Sequence, residues 1–305
     1  MPDVVAAIDL GTNTARLLIA TRDPYRQILL RRTITRLGGG FTREEGLSEE
    51  AQQRSVAALK EFAREIALHG VVRLRAVATS AVRDARNGES FCRRVFEETG
   101  IELEVIDGTE EAVLTLRGVA SILDDKECDL AVFDVGGGST EYTLASAQEP
   151  LFSRSLPIGV VRLTEGKAGV TEMEEKIRRE LGGLKAELEG EGLAGRFRLA
   201  TLVGTAGTAT SLAAIHIGMK DYDYRRVNNH TMPLSEVERI YEMLKPLAPV
   251  ERLQVPGLEP GREDLIIAGV LVVLLTMRVF GFQTFKVSDS GLLEGLILGV
   301  CVESR

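Results

Sequence analysis

The chain opens twice in the same way. The segment VVAAIDLG is an apolar run closed by an aspartate and a glycine, Asp9 and Gly11. The same pattern returns in LAVFDVGGG, where Asp134 and Gly136 stand 125 residues further on. Each opening is followed by a second apolar stretch (ARLLIA, then STEYTLA) and a third (QILLRRTIT, then PLFSRSLP). Apolar runs separated by tight turns read as an antiparallel three-stranded meander. A chain that restarts its own opening must fold as two related units, and 305 residues is a length suited to two. The expectation is two α/β lobes related by pseudo-twofold duplication, with a cleft between them. Residues 1–123 form the first and 124–305 the second, with the final helix free to pack back on the first. The polar stretch DDKEC, starting at Asp124, is the expected boundary.

Between the meanders the pattern changes to helical. Ser48 can N-cap a helix with Glu49 and Glu50 in its first turn, where the helix dipole favours acids. Val56, Leu59, Phe62 and Ile66 then form an apolar stripe, and Gly70 stops it. VVRLRAVAT and IELEVI read as strands, residues 88–99 as a helix, and another helix opens near Gly108. In the second half, residues 171–190 read as a charged helix and LATLVG as a strand, followed by a helix from about Thr208. Ser235 and Glu238 have capping-box spacing for a further helix. TFKVSD reads as a strand, and a last helix follows Gly291.

Composition excludes several classes. There are 45 acidic against 37 basic residues, a net charge of −8, so no basic face is expected to bind nucleic acid. An anionic ligand would have to be held by local donors or a metal. Cys92, Cys128 and Cys301 are dispersed, with no CxxC pair, which suits a reduced compartment. His69, His216 and His230 are too few and too scattered for a histidine-rich metal centre. Asp3 stands where a signal peptide would carry basic residues. The apolar run Leu265–Met277, between Asp264 and Arg278, is short for a bilayer and reads as a buried helix. A cytoplasmic protein without membrane attachment is expected.

Three turns could carry chemistry. In IDLGTNT, Gly11 lets the backbone approach an anion, while Thr12, Asn13 and Thr14 add donors. Asp9 would repel phosphate, and its useful role is to hold Mg²⁺. In FDVGGGSTE, Gly136, Gly137 and Gly138 form a turn without side chains, costly in a mere hairpin. Ser139 and Thr140 add hydroxyls, and Asp134 and Glu141 add carboxylates. In LVGTAGTAT, Gly204, Thr205 and Gly207 lie between a strand and a helix start, an arrangement that aims helix N–H groups at a ligand. Neither a P-loop lysine nor a dinucleotide fingerprint accompanies it.

With GTEEAVLTLRGV (Gly108–Val119), these turns resemble the exopolyphosphatase and guanosine pentaphosphate phosphohydrolase (Ppx/GppA) family. That family lies within the actin, hexokinase and Hsp70-like superfamily. RLGGGF (Arg36–Phe41), ATSAVRDA (Ala78–Ala85), GREDLIIAG (Gly261–Gly269) and SDSGLLEGL (Ser288–Leu296) match further family segments in order. The resemblance implies a duplicated actin-like (ribonuclease H-like) α/β fold. It implies Mg²⁺-assisted release of terminal phosphate from inorganic polyphosphate or of the 5′ γ-phosphate from guanosine pentaphosphate. By resemblance, Glu111 positions and deprotonates the attacking water, Arg83 neutralises the substrate phosphate, and the glycine turns cradle phosphoryl oxygens. Asp134 and Glu141 align with acids linked to the metal and the water. Glu110 points about 100° away from Glu111 on a helix, so the two cannot share a role.

Thr12 and Thr14 stand where the family often has serine, and Leu292 where many members have arginine. The chain resembles the short, two-domain form, and a homodimer is a family-level expectation. Two other readings compete with hydrolysis: a superfamily kinase for a small molecule, and a regulator that binds guanosine tetra- or pentaphosphate with slow or no turnover.

Overall fold

The computed structural model describes residues 3–22, 24–41, 44–124, 128–167 and 169–300. It divides into two compact units, Met1–Gly118 with Leu292–Arg305, and Val119–Gly291. The expected boundary segment extends into residues 125–127, which lie outside the described residues.

In the first unit the meander forms β1 (Val4–Leu10), β2 (Thr14–Thr21) and β3 (Arg26–Ile34). Then come α1 (Glu49–Leu68), β4 (Arg73–Ala78), α2 (Ser80–Arg83), α3 (Gly88–Thr99), β5 (Glu104–Val105) and α4 (Gly108–Ile122). The sheet order is β3-β2-β1-β4-β5. β1 is buried along almost its whole length because both its faces are covered. Ala6, Ile8 and Leu10 belong to a core with Val56, Leu59 and Phe62 of α1. Val5 and Ala7, on the other face, pack with Leu293, Leu296 and Ile297 of the C-terminal helix Leu292–Val300. Ser48 caps α1 as expected, its Oγ accepting from Ala51 N at 3.3 Å.

The second unit contains β6 (Leu130–Val135), β7 (Thr140–Ser146), β8 (Glu149–Leu156), α5 (Val160–Gly166), α6 (Val170–Gly190), α7 (Ala194–Leu199) and β9 (Thr201–Thr205). There follow α8 (Ala206–Ile217), α9 (Tyr224–Val227), β10 (Thr231–Pro233), α10 (Leu234–Leu244), α11 (Pro249–Arg252), α12 (Ile266–Phe280) and β11 (Thr284–Val287). Its sheet runs β10-β11-β9-β6-β7-β8. The fourth strand is parallel to the first in both units, so each sheet repeats one order: third, second, first, fourth. This is the duplicated actin-like, ribonuclease H-like α/β fold. α12 is the buried helix anticipated from the Leu265–Met277 run. Among the described residues no helix is long and apolar enough to cross a membrane.

Some expectations change. The capping box at Ser235 and Glu238 does not form: α10 starts at Leu234 after Pro233, and no side chain caps it. Leu234 N instead donates to Gln283 O, which ties the helix start to the residue that precedes β11. IELEVI contributes only the two-residue β5. The helix after LATLVG begins at Ala206 rather than Thr208.

Candidate active site

The duplicated turns are the same structure built twice. Gly11 N donates to Thr14 O at 3.0 Å, and Gly136 N donates to Ser139 O at 3.0 Å. In each unit the segment after the third strand then grips the turn. Gly38 N donates to Thr12 O at 2.8 Å, and Val161 N donates to Gly137 O at 2.9 Å. The grip requires small residues. A Cβ on Gly38 would lie 2.2 Å from Thr12 Cγ2, and one on Gly159 would lie 2.4 Å from the Gly137 carbonyl.

What the two units place beside the turns differs. Asp9 faces Arg16 across β1 and β2, and the guanidinium donates twice to Asp9 Oδ2, at 2.9 and 2.5 Å. The equivalent pair in β6 and β7 is Asp134 and Glu141, two acids in direct register. Both are buried, at 9% and 3% exposure. Glu141 Oε1 accepts from Ser155 Oγ at 2.7 Å, and Ser155 is its partner on β8. Like charges directly opposite in a sheet destabilise it unless something compensates.

Glu111 and Arg83 come together in the first unit. Asp107 caps α4, its Oδ1 accepting from Thr109 N and Glu110 N at 2.8 Å each. That start fixes two adjacent glutamates in different surroundings. Glu110 turns to Arg75 at 2.5 Å, and Arg75 also pairs with Glu104 at 3.0 Å. Glu111 is 9% exposed, with Oε2 3.4 Å from Arg83 Nη1. The same Nη1 donates to Ile106 O at 2.9 Å, which anchors the guanidinium. Thr12 Oγ1 lies 3.0 Å from Ser80 Oγ, at the start of the α2 turn that ends with Arg83. Thr12, Ser80, Arg83 and Glu111 therefore gather where β1, α2 and α4 begin or end.

The third turn joins β9 to α8. Gly204 lies inside β9, its carbonyl accepting from Ser288 N at 2.9 Å. A Cβ there would meet the Phe133 ring at 2.4 Å, so packing alone demands glycine. Thr205 Oγ1 donates to Ser290 O at 3.1 Å. Ala206 is held at φ +61°, a costly conformation for a residue with a Cβ, of a kind that concentrates at functional turns. At Gly207 a Cβ would fall 1.5 Å from Arg262 Nη1: the guanidinium lies directly on the turn.

Comparison with known proteins bears on this geometry. The model of the Ppx/GppA phosphatase family matches residues 18–303. The chain belongs to the Ppx/GppA phosphatase family. It is 34% identical to exopolyphosphatase 2 of Mycobacterium tuberculosis, over 97% of this chain and 98% of that protein. It is 31% identical to a bifunctional 3-dehydroquinate synthase/phosphatase of Fusobacterium nucleatum, over 96% of this chain but only 46% of that longer relative. Among solved structures, the Aquifex aeolicus Ppx/GppA family member superposes with a TM-score of 0.79 at 33% identity, covering both chains fully.

Several residues of this Ppx/GppA phosphatase escaped sequence reading. Arg16 and Ser155 are identified by register with the acids they contact, which a sequence without strand pairing cannot supply. Arg162 Nε donates to Gly138 O at 2.8 Å. Lys176 is held below the usual lysine range, first by burial and then by Arg162. Arg262 was visible only as part of the GREDLIIAG segment; its signal was the glycine at 207 that makes room for it. Among the described residues no group of three or more His, Cys, Asp or Glu side chains is gathered to hold a metal.

The grip on the triple-glycine turn gives a stability prediction. Gly159→Ala drives a methyl into the Gly137 and Gly138 backbone, which cannot rotate away as a side chain would. The variant is expected to lose about 1–3 kcal/mol of stability, read by thermal or denaturant unfolding. Gly183→Ala, inside α6 where a Cβ meets nothing within 4 Å, is the comparison and should be neutral or stabilising by about 0.5–1 kcal/mol.

Proposed function

We propose that this chain is an exopolyphosphatase that releases terminal orthophosphate from inorganic polyphosphate, and that it also removes the 5′ γ-phosphate of guanosine pentaphosphate. The observation that carries the reading is the buried Glu111 carboxylate beside the anchored Arg83 guanidinium. Family membership and the exopolyphosphatase relative support it.

Phosphoryl transfer to water needs positioning and charge neutralisation more than covalent help. In the proposed reaction the oxygen of a water attacks the terminal phosphorus, and the phosphoanhydride P–O bond breaks. The water's proton passes to the Glu111 carboxylate, a group suited to general-base work when substrate holds the water against it. Arg83 has guanidinium N–H groups beyond the Nη1 donor that anchors it to Ile106, and these can meet phosphoryl oxygens. Gly11, Thr12 and Asn13 in one unit offer donors at a backbone turn, as do Gly136, Gly137, Gly138 and Ser139 in the other. The start of α8, with Thr205 and Gly207, adds helix N–H groups, and Arg262 adds charge.

The residues fit a divalent cation. Asp134 and Glu141 are hard oxygen donors, buried and facing each other in register. Mg²⁺ takes one or two carboxylates together with substrate phosphate oxygens, so a pair suffices. When bound, the ion would neutralise charge on the phosphoryl group. Asp9, also expected at the metal, has its charge matched by Arg16, which leaves Asp134 and Glu141 as the principal holders.

The test is a set of initial rates on long-chain polyphosphate, short-chain polyphosphate and guanosine pentaphosphate, with Mg²⁺ and with EDTA. Phosphate release from polyphosphate that EDTA abolishes is the expected result. Transfer from ATP to an acceptor without release to water would instead establish the kinase. Tight nucleotide binding without release from any substrate would establish the regulator.

A further inference from the structure

We infer that Tyr222 is a platform for the planar base of a nucleoside polyphosphate, and so selects nucleotide over plain polyphosphate at the β9–α8 turn. The inference rests on the reading above that both kinds of substrate present a terminal phosphate to this protein.

Tyr222 lies in the segment between α8 and α9 and is 39% exposed. Its hydroxyl is fixed. It donates to Asp289 Oδ1, and Asp289 is itself held through its backbone N–H, which donates to Asn228 Oδ1 at 2.7 Å. The Thr210 hydroxyl also faces the phenol, and burial with the Asp289 carboxylate pushes the phenol well above its usual range. Thr210 Oγ1 in turn donates to Ala206 O at 3.1 Å and Gly207 O at 3.3 Å. One hydroxyl thus separates the ring from the two carbonyls of the third turn. Glu259, the ion-pair partner of Arg262 at 3.1 Å, is a further neighbour of the phenol, and Arg262 lies on Gly207. The ring therefore stands at the edge of the anion-binding turn, tied by its hydroxyl in a side chain that is partly exposed.

A tyrosine that only filled space would not need its hydroxyl tied to Asp289 and a part-exposed ring. Two residues on, Tyr224 is similarly exposed, but Arg225 sits over its ring at 5.6 Å. Among the described residues no ring or cation covers Tyr222 in this way. A part-exposed ring held by its hydroxyl beside phosphate donors is what a base can stack on, and stacking of this kind does not depend on which base it is. Polyphosphate has no ring and gains nothing from it. The acids around the phenol, Asp289 and Glu259, also disfavour extending an anionic chain over it.

The experiment compares Tyr222→Leu and Tyr222→Phe with the wild type in KM and kcat on guanosine pentaphosphate and on long-chain polyphosphate. Tyr222→Leu is expected to raise KM for the nucleotide roughly 5- to 100-fold, the range for losing one base–aromatic stack. Its kinetics on polyphosphate should stay within about twofold, which also shows that the variant is folded. Tyr222→Phe keeps the ring and should retain most of the nucleotide affinity. An unchanged nucleotide KM in Tyr222→Leu overturns the inference. So does an equal loss on both substrates, which would make Tyr222 a structural support of the turn. Should the wild type hydrolyse neither substrate, the proposed function fails but the platform is still tested. Calorimetric binding of guanosine 5′-diphosphate must then weaken in Tyr222→Leu and persist in Tyr222→Phe.

Discussion

Glu111→Gln is expected to lower kcat for phosphate release by about 10²–10⁴-fold, the range over which a positioned general base contributes. The carboxamide has the same shape and keeps the α4 helix, so the variant removes basicity with little else. Its fold can be checked by an unfolding midpoint close to wild type. The expectation follows from burial and not from the residue type. Glu110 and Glu111 are neighbours of identical chemistry, but Glu110 spends its charge on Arg75 in a network with Glu104. That pair is partly exposed, and such pairs contribute about 0–1 kcal/mol. Glu110→Gln should therefore leave kcat within about twofold. If the two variants behave alike, or if Glu111→Gln retains wild-type turnover, the base is elsewhere.

The contrast between these glutamates marks how far the sequence could be read. The duplication was legible because each meander opens with an apolar run long enough to show its period, and because Asp-x-Gly recurs at a constant spacing. α1 was legible because a capping serine, acidic first turn, apolar stripe and terminal glycine all agree. The short elements α2, α9, α11 and β10 were not, since three or four residues are too few to carry a period. The false capping box at Ser235 arose because spacing was read without the preceding Pro233, which takes the N-cap position two residues earlier.

In the site, residue types were legible but pairings were not. Nothing in the sequence says that Asp9 looks across at an arginine while its counterpart Asp134 looks across at a glutamate. Only strand register does so. Nor could the third turn be divided by inspection into Gly204, required by the Phe133 ring, and Gly207, required by the Arg262 guanidinium.

That difference between the two halves yields the other large expected effect. Duplication places Arg16 and Glu141 at equivalent positions, each opposite the aspartate of its own turn. In the first unit the pair is internally neutral. In the second, two buried carboxylates share one row with the Ser155 hydroxyl, which orients Glu141. Two buried carboxylates in one row are a pair of hard oxygen donors, the kind of set that a divalent cation takes together with substrate phosphate oxygens. Glu141→Gln should therefore cut phosphate release by about 10²-fold or more, since even outer partners of a metal ligand cost 10–100-fold. The wild type is expected to gain unfolding temperature from Mg²⁺, because an ion that binds only the folded state stabilises it by mass action, and Glu141→Gln should lose that gain. The second readout needs no substrate and separates loss of the ion from loss of the base: Glu111→Gln should keep the Mg²⁺ shift that Glu141→Gln loses. A Glu141→Gln protein that still gains stability from Mg²⁺ at wild-type concentrations would place the cation away from this row, and the carboxylate pair would then need another explanation.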